Sequence, residues 1–155
     1  MKLAIRILAV LAFASALFAA DLNPGTWKLN VSKSKSTPNR PLPKAETAVV
    51  VAQGDHYEVI VSGTEADGRA LSVKYDQPMK GGRLSYSEGG PPAGASTNAK
   101  RVDDYTIDFT TTRDGKDLQT IHSVIRRDGK TLRRTARGID PQGKSYKRSE
   151  VWDKE

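Results

Sequence analysis

The chain has 155 residues, of which 25 are Lys or Arg, 18 are Asp or Glu and none is cysteine. The lack of cysteine excludes disulfides, cysteine-based metal sites and a thiol nucleophile. Without an N-terminal leader the chain has roughly 135 residues, which is enough for one domain with its own core and too few to suggest two.

Residues 1–20 have the organisation of a signal peptide: a short basic start, an apolar run over residues 7–18, and small residues before Asp21. The apolar run is shorter than the roughly 20 residues that a membrane-spanning helix needs. We therefore expect a secreted or periplasmic domain over residues 21–155 that has no transmembrane segment. The cleavage site stays open among Ala16, Ala19 and Ala20.

Short runs rich in Val, Ile, Thr and Tyr follow the leader, separated by turn signals, and no long segment has helical periodicity. Pairs such as Asp67-Gly68 and Asp128-Gly129 place residues that tolerate positive φ at hairpin turns, so neighbouring strands are expected to be antiparallel. The ten predicted strands are 25–31, 46–53, 56–63, 69–77, 82–88, 97–102, 105–113, 117–127, 131–140 and 144–153.

The strand pattern predicts an all-β fold, an antiparallel up-and-down barrel of about 8–10 strands. Tyr105, Ile107 and Phe109 share one face of their strand and polar residues occupy the other, which is typical of a sheet with one buried face. Closure into a barrel removes the two unpaired edges of an open sheet. A two-sheet sandwich remains the alternative, because strand number alone does not separate the two folds.

Two segments between the strands are predicted to be long loops. Residues 32–44 contain three prolines and little apolar content, and residues 89–96 read Gly-Gly-Pro-Pro-Ala-Gly-Ala-Ser. Loops of this length on a small barrel are often either lids over its mouth or disordered.

The first predicted strand opens with Gly25-x-Trp27, within Gly-Thr-Trp-Lys-Leu-Asn, and Lys-Ser pairs follow at 33–34 and 35–36. In these features the chain resembles the lipocalin-like (calycin-type) small exported bacterial β-barrel proteins. The resemblance implies that Trp27 packs across the closed end of the barrel and that a basic residue of the last strand, Arg148 or Lys147, stacks on it. Gly25, Trp27 and Arg148 would then form a structural floor. The chain departs from the fatty-acid-binding barrels at Glu150, where they would have a ligand-binding arginine.

Arg134 is a candidate ligand-binding residue. On its strand it shares one face with Leu132 and Ala136. If that face lines the interior, Arg134 needs an acidic partner or an anionic ligand, because an unpaired buried charge is costly. Tyr146 on the next strand would complete a carboxylate-binding pair. The alternative is that the basic residues form a solvated outer face with Arg134 near the rim.

His122 is the remaining candidate for ligand binding. It precedes Ser123, but adjacent residues of a strand point to opposite faces, so the two cannot act as a base and nucleophile within one strand. A haem ligand is a further alternative for His122, without a second motif in support. No histidine has a partner at metal-ligand spacing, and we predict no catalytic residue, no metal site and no cofactor.

The function predicted from these features is non-enzymatic binding of a small apolar or amphipathic molecule inside the barrel. The alternative is a basic interaction module for anionic cell-envelope components, because residues 126–148 carry nine Lys and Arg against two Asp. A third hypothesis, an isomerase or hydrolase in the barrel mouth, has no positioned acid, base and nucleophile in its favour. Nucleic acid is not an expected partner, because the chain has few aromatic residues to stack on bases.

Overall fold

The structure is a computed structural model that describes residues 21 and 23–155. The predicted signal peptide therefore lies outside the described residues. Within the described part of the chain there is no α-helix, and one short 3₁₀ helix spans Val31–Lys33. The twelve strands are β1 Gly25–Leu29, β2 Lys35–Ser36, β3 Ala45–Gln53, β4 His56–Thr64, β5 Ala70–Pro78, β6 Gly82–Arg83, β7 Ser85–Glu88, β8 Ala95–Arg101, β9 Thr106–Arg113, β10 Lys116–Ile125, β11 Thr131–Ile139 and β12 Ser145–Lys154.

All strands belong to one antiparallel sheet, in the order β6-β8-β9-β10-β11-β12-β1-β3-β4-β5-β7, with β2 on β12. The two ends of this order, β6 and β7, are separated only by Leu84, whose amide donates to the carbonyl of Thr97 on β8 at 2.9 Å. The segment 82–88 thus pairs with β8 through its first part and with β5 through its last part. The sheet is a nearly closed barrel, which confirms the predicted all-β antiparallel barrel and rules out the sandwich.

Turn chemistry explains why the strands follow each other as hairpins. Gly54, Gly68, Gly115 and Gly129 all have positive φ, a conformation that glycine adopts without steric cost, and each lies between two paired strands. The short β2 and the splitting of the segment 82–88 at Leu84 account for the strands beyond the ten that the sequence predicts.

The core at one end of the barrel is built around two tryptophans. Trp27, Trp152 and Tyr57 are each 1% exposed and pack with Leu29, Val50, Val59 and Ile125. The Trp27 indole N–H donates to the carbonyl of Asn23 at 2.9 Å, so its polar atom is satisfied within the core. This end of the barrel is therefore filled by side chains.

Candidate functional site

A cavity of about 870 Å³ occupies the rest of the barrel interior. Its walls are formed partly by apolar side chains, among them Val61, Val73, Phe109 and Ile121, and partly by charged residues. The cavity extends to the loops at the end of the barrel away from Trp27. The barrel thus has a filled end and a hollow end.

A cluster of three charged residues lies on the cavity wall where β11 and β12 pair. Arg134 is directly opposite Glu150 in the register of the two strands, and its Nη1 lies 3.8 Å from Oε2 of Glu150. Arg148, two positions before Glu150 and so on the same face, places its Nη1 3.3 Å from Oε1. Glu150 is 6% exposed, so one buried carboxylate serves two guanidinium groups.

The indole of Trp152 fixes Glu150 from the core side. Its N–H donates to Oε2 of Glu150 at 3.0 Å, and the Arg134 guanidinium lies 5.9 Å from the Trp152 ring centroid. Arg134 lines both the large cavity and a smaller one of about 70 Å³ beside Trp27 and Trp152. Arg134 therefore separates the aromatic core from the hollow end.

Arg148 connects this cluster to the loop after the first strand. Its Nη2 donates to the carbonyl of Pro41 at 2.8 Å. Its Nε is buried and has no hydrogen-bond partner in the described part of the chain. Arg148 therefore links the charged cluster on the cavity wall to the loop that follows β1.

Glu46 on β3 is a second acid that lines the cavity. Its pKa is raised from 4.5 to about 7, chiefly by burial and then by the charge of Glu150, while the charges of Arg134 and Arg148 lower it. Desolvation disfavours the charged form of a buried carboxyl. Near neutral pH, Glu46 therefore exchanges between its neutral and ionised forms.

Tyr146 and the two long loops surround the mouth of the cavity. The Tyr146 hydroxyl accepts a hydrogen bond from Nε2 of Gln119 at 2.8 Å, and the guanidinium of Arg40 lies 5.8 Å from its ring centroid. Asn39 donates to Asp140 at 2.9 Å, which holds the first loop against the β11–β12 turn. Residues 90–92 of the second loop also line the cavity.

The three candidate ligand-binding residues do not form one group. Arg134 and Tyr146 both line the cavity, but Arg134 is paired with Glu150 and the Tyr146 hydroxyl with Gln119. His122 lies on the outer face of β10, where its side chain is 58% exposed and its Nδ1 is 2.6 Å from Asp108 of the neighbouring strand. Ile121, the residue before it, is the one that lines the cavity.

Of the three residues predicted to form the barrel floor, Gly25 and Trp27 lie at the filled end and Arg148 does not. Trp27 is buried at the filled end, and Gly25, with a φ of 137°, is placed so that a Cβ on it would lie 2.4 Å from Cε of Lys154. The cation over the Trp27 ring is Lys154, whose Nζ lies 4.9 Å from the ring centroid. Arg148 is in the ion cluster of the cavity instead. The β1–β12 register explains this, because it places Trp27 opposite Lys154.

Two residues of the site, Glu46 and Glu150, were not among the sequence candidates. The signal for both was the two-residue alternation of their strands: Glu150 shares a face with Tyr146 and Trp152, and Glu46 shares one with Ala48 and Val50. An acid on a face that also carries core residues indicates a buried charge that needs a partner.

Metal binding has no obvious location in the part of the chain that the structure describes. There, no group of three or more His, Asp or Glu side chains is arranged to hold a metal ion. The described residues also include no helix that is long and apolar enough to cross a membrane. No protein-family model, curated protein or solved structure was found to match the chain.

Proposed function

We propose that this protein is an exported lipocalin-like barrel, secreted or periplasmic, that binds a small apolar or amphipathic molecule in its large cavity. The observation that carries the proposal is the cavity of about 870 Å³, because sites for small organic ligands usually have volumes of about 300–1,000 Å³. Its lining also suits such a molecule. Apolar walls accept a hydrocarbon part, and the charged residues accept a polar group.

The first strand supports the lipocalin-like assignment. Gly25-x-Trp27 begins the barrel, and a cation of the last strand lies over the tryptophan ring, although it is Lys154 and not the Arg148 or Lys147 that the resemblance implies. Trp27, at the filled end, then has a structural role, and the ligand binds at the opposite end.

The test is binding of Nile red, a neutral apolar dye whose fluorescence rises on leaving water. Val61 lines the cavity and Ile60, the residue before it, is 37% exposed on the outer face. Val61→Trp is expected to obstruct part of the cavity and weaken dye binding, whereas Ile60→Trp should leave dye binding unchanged. Unfolding in urea should confirm that both variants are folded.

Native mass spectrometry of the protein purified without detergent provides a second measurement. A bound small molecule that is lost in Val61→Trp would support the proposal. If the wild-type protein binds no Nile red and carries no molecule, or if both variants bind the dye equally, the interior is not a binding site.

A second function, binding of anionic envelope components, is favoured by one observation on the outer face. Arg137 and Lys147 are exposed and directly opposite each other on β11 and β12, and like charges in such a pair are destabilising. In the described part of the chain neither has an acidic partner, so an external anion would relieve the repulsion. Arg137→Glu with Arg133→Glu should abolish sedimentation with phosphatidylglycerol vesicles at low salt, and unchanged sedimentation would contradict this function.

A further inference from the structure

The charges around the cavity form two groups of different character. At the mouth, Arg40 and Arg113 are accompanied by Glu65 and Asp140. Deeper inside, Arg134 and Arg148 are accompanied by Glu150 and Glu46. With every acid ionised, each group sums to zero. The protonation state of the deeper acids therefore decides whether the interior carries a net charge.

Glu150 alone does not satisfy both arginines. Each guanidinium has five N–H donors, and each directs one Nη atom toward Glu150, whose Oε2 also accepts from Trp152. Apart from the contact of its Nη1 with Glu150, the Arg134 side chain makes no hydrogen bond to the described residues, so its other N–H donors are available at the cavity wall.

Glu46 is the other acid available to these arginines. It lines the same cavity, opposite Gly63 of β4, which contributes no side chain between the two strands. The charged and titratable groups whose fields act on it are Glu150 and Arg148 on β12, Arg134 on β11, Tyr75 on β5 and Glu65. The side chain of Glu46 makes no hydrogen bond to the described residues, so its charge is balanced only through the field of the arginines.

We propose that Glu46 is an internal counter-ion that competes with the ligand for Arg134 and Arg148. When Glu46 is neutral, the deeper group carries one net positive charge and accepts an amphiphile with a single negative charge. When Glu46 is ionised, the group is neutral and the anion is released. This inference rests on the proposed function, and it specifies the ligand as a monoanionic amphiphile that is taken up together with a proton.

The size of the effect follows from the fraction of protein with Glu46 protonated. Burial raises the pKa of Glu46 to about 7. If the anion binds only the protonated form, its apparent dissociation constant increases in inverse proportion to that fraction. Between pH 6 and pH 8.5 the affinity for an anionic ligand should fall about 30-fold.

The experiment compares two fluorescent probes with the same tail, 11-(dansylamino)undecanoic acid and its methyl ester, between pH 6 and pH 8.5. The carboxyl group of the acid is ionised over this range, so the protein is the main source of any pH dependence. The wild-type protein should bind the acid more tightly than the ester at pH 6 and lose that preference by pH 8.5. Glu46→Gln should bind the acid with the same affinity at every pH.

Proton uptake gives a second, independent measurement. Calorimetric titration at pH 8 in two buffers of different ionisation enthalpy should show about one proton taken up per acid bound by the wild-type protein. Glu46→Gln should show none. Glu58→Gln is the matched control, because Glu58 is on the outer face in an ion pair with Lys74 at 3.0 Å. This variant should take up about one proton per acid bound, as the wild-type protein does.

The outcomes separate this inference from the proposed function. Equal binding of acid and ester at all pH values would overturn the counter-ion role and leave the cavity as a binding site. A preference for the acid that is independent of pH, or proton uptake that persists in Glu46→Gln, would also overturn it. Binding of neither probe, nor of Nile red, would contradict the proposed function itself.

Discussion

Replacing Glu46 by Gln is expected to stabilise the ligand-free protein at alkaline pH and to leave its stability at acid pH nearly unchanged. Burial raises the pKa of this carboxyl from 4.5 to about 7 in the folded state, so the folded protein binds the proton more tightly than the unfolded chain. A group of this kind stabilises the fold at low pH. That stabilisation is lost as the pH rises from about 4.5 through 7.

The size of this stability difference follows from the shift in the pKa of Glu46. Each pKa unit corresponds to about 1.4 kcal/mol, so ionising Glu46 in the folded state costs about 3 kcal/mol. Glutamine has nearly the same shape and cannot ionise. The difference in the free energy of unfolding between Glu46→Gln and the wild type should therefore grow from near zero at pH 4.5 to about 3 kcal/mol at pH 8.5.

Urea unfolding at several pH values, followed by the fluorescence of the two buried tryptophans, measures this difference directly. Glu58→Gln serves as the control because its carboxyl is partly exposed and paired with Lys74, a contact worth at most about 1 kcal/mol. A stability difference for Glu46→Gln that stays constant from pH 4.5 to 8.5 would refute the reasoning. An equal pH-dependent gain in the control would also refute it.

Further variants test other parts of the structure. Glu150→Gln should lower the free energy of unfolding by about 3 kcal/mol, because it leaves the mostly shielded guanidinium groups of Arg134 and Arg148 without the anion between them; an unchanged free energy of unfolding in urea would contradict the role of this ion cluster. Gly63→Ala should be destabilising by about 1–3 kcal/mol, because its Cβ would lie 2.1 Å from the carbonyl oxygen of Ala45, and wild-type stability would refute that close approach. Trp27→Ala should lower the free energy of unfolding by about 3–5 kcal/mol. It should not change the affinity for the probes in the absence of denaturant, since Trp27 lies at the filled end, and loss of probe binding in a folded variant would contradict this placement. His122→Ala should change neither probe affinity nor stability by more than about 1 kcal/mol, and reduced binding would place His122 in the site.

The barrel could be predicted from the sequence because the information for it is local. Alternating apolar residues define each strand's faces, and turn glycines such as Gly115 and Gly129 define the hairpins. The same alternation placed Arg134 on one face with Leu132 and Ala136, and that face lines the interior. The alternation does not reveal which strands lie opposite each other across the barrel.

The contacts that could not be predicted from the sequence depend on this long-range register of the strands. The cation over Trp27 is Lys154 because β1 pairs with β12 in one particular offset, and a shift of two residues would have placed another side chain there. Glu46 and Glu150 line the same cavity although β1 separates their strands in the sheet order, and the local alternation of each strand does not reveal that proximity. The pairing of Arg148 with Glu150 likewise required knowledge of which face of β12 is buried.

The closure of the sheet through the segment 82–88 has a consequence for how the barrel opens. One curled meander comprises β3 to β5 and another comprises β8 to β12, and both consist of strands of seven to ten residues. They join on one side through β1, of five residues, and on the other through β6 and β7, of two and four residues. Few hydrogen bonds hold these seams, so they should open before the meanders do. Hydrogen exchange should therefore be faster at the paired amides of 82–88 than at those of β3 to β5 and β8 to β12, and a ligand of the proposed site would then have a route through the wall beside the cavity as well as through its mouth.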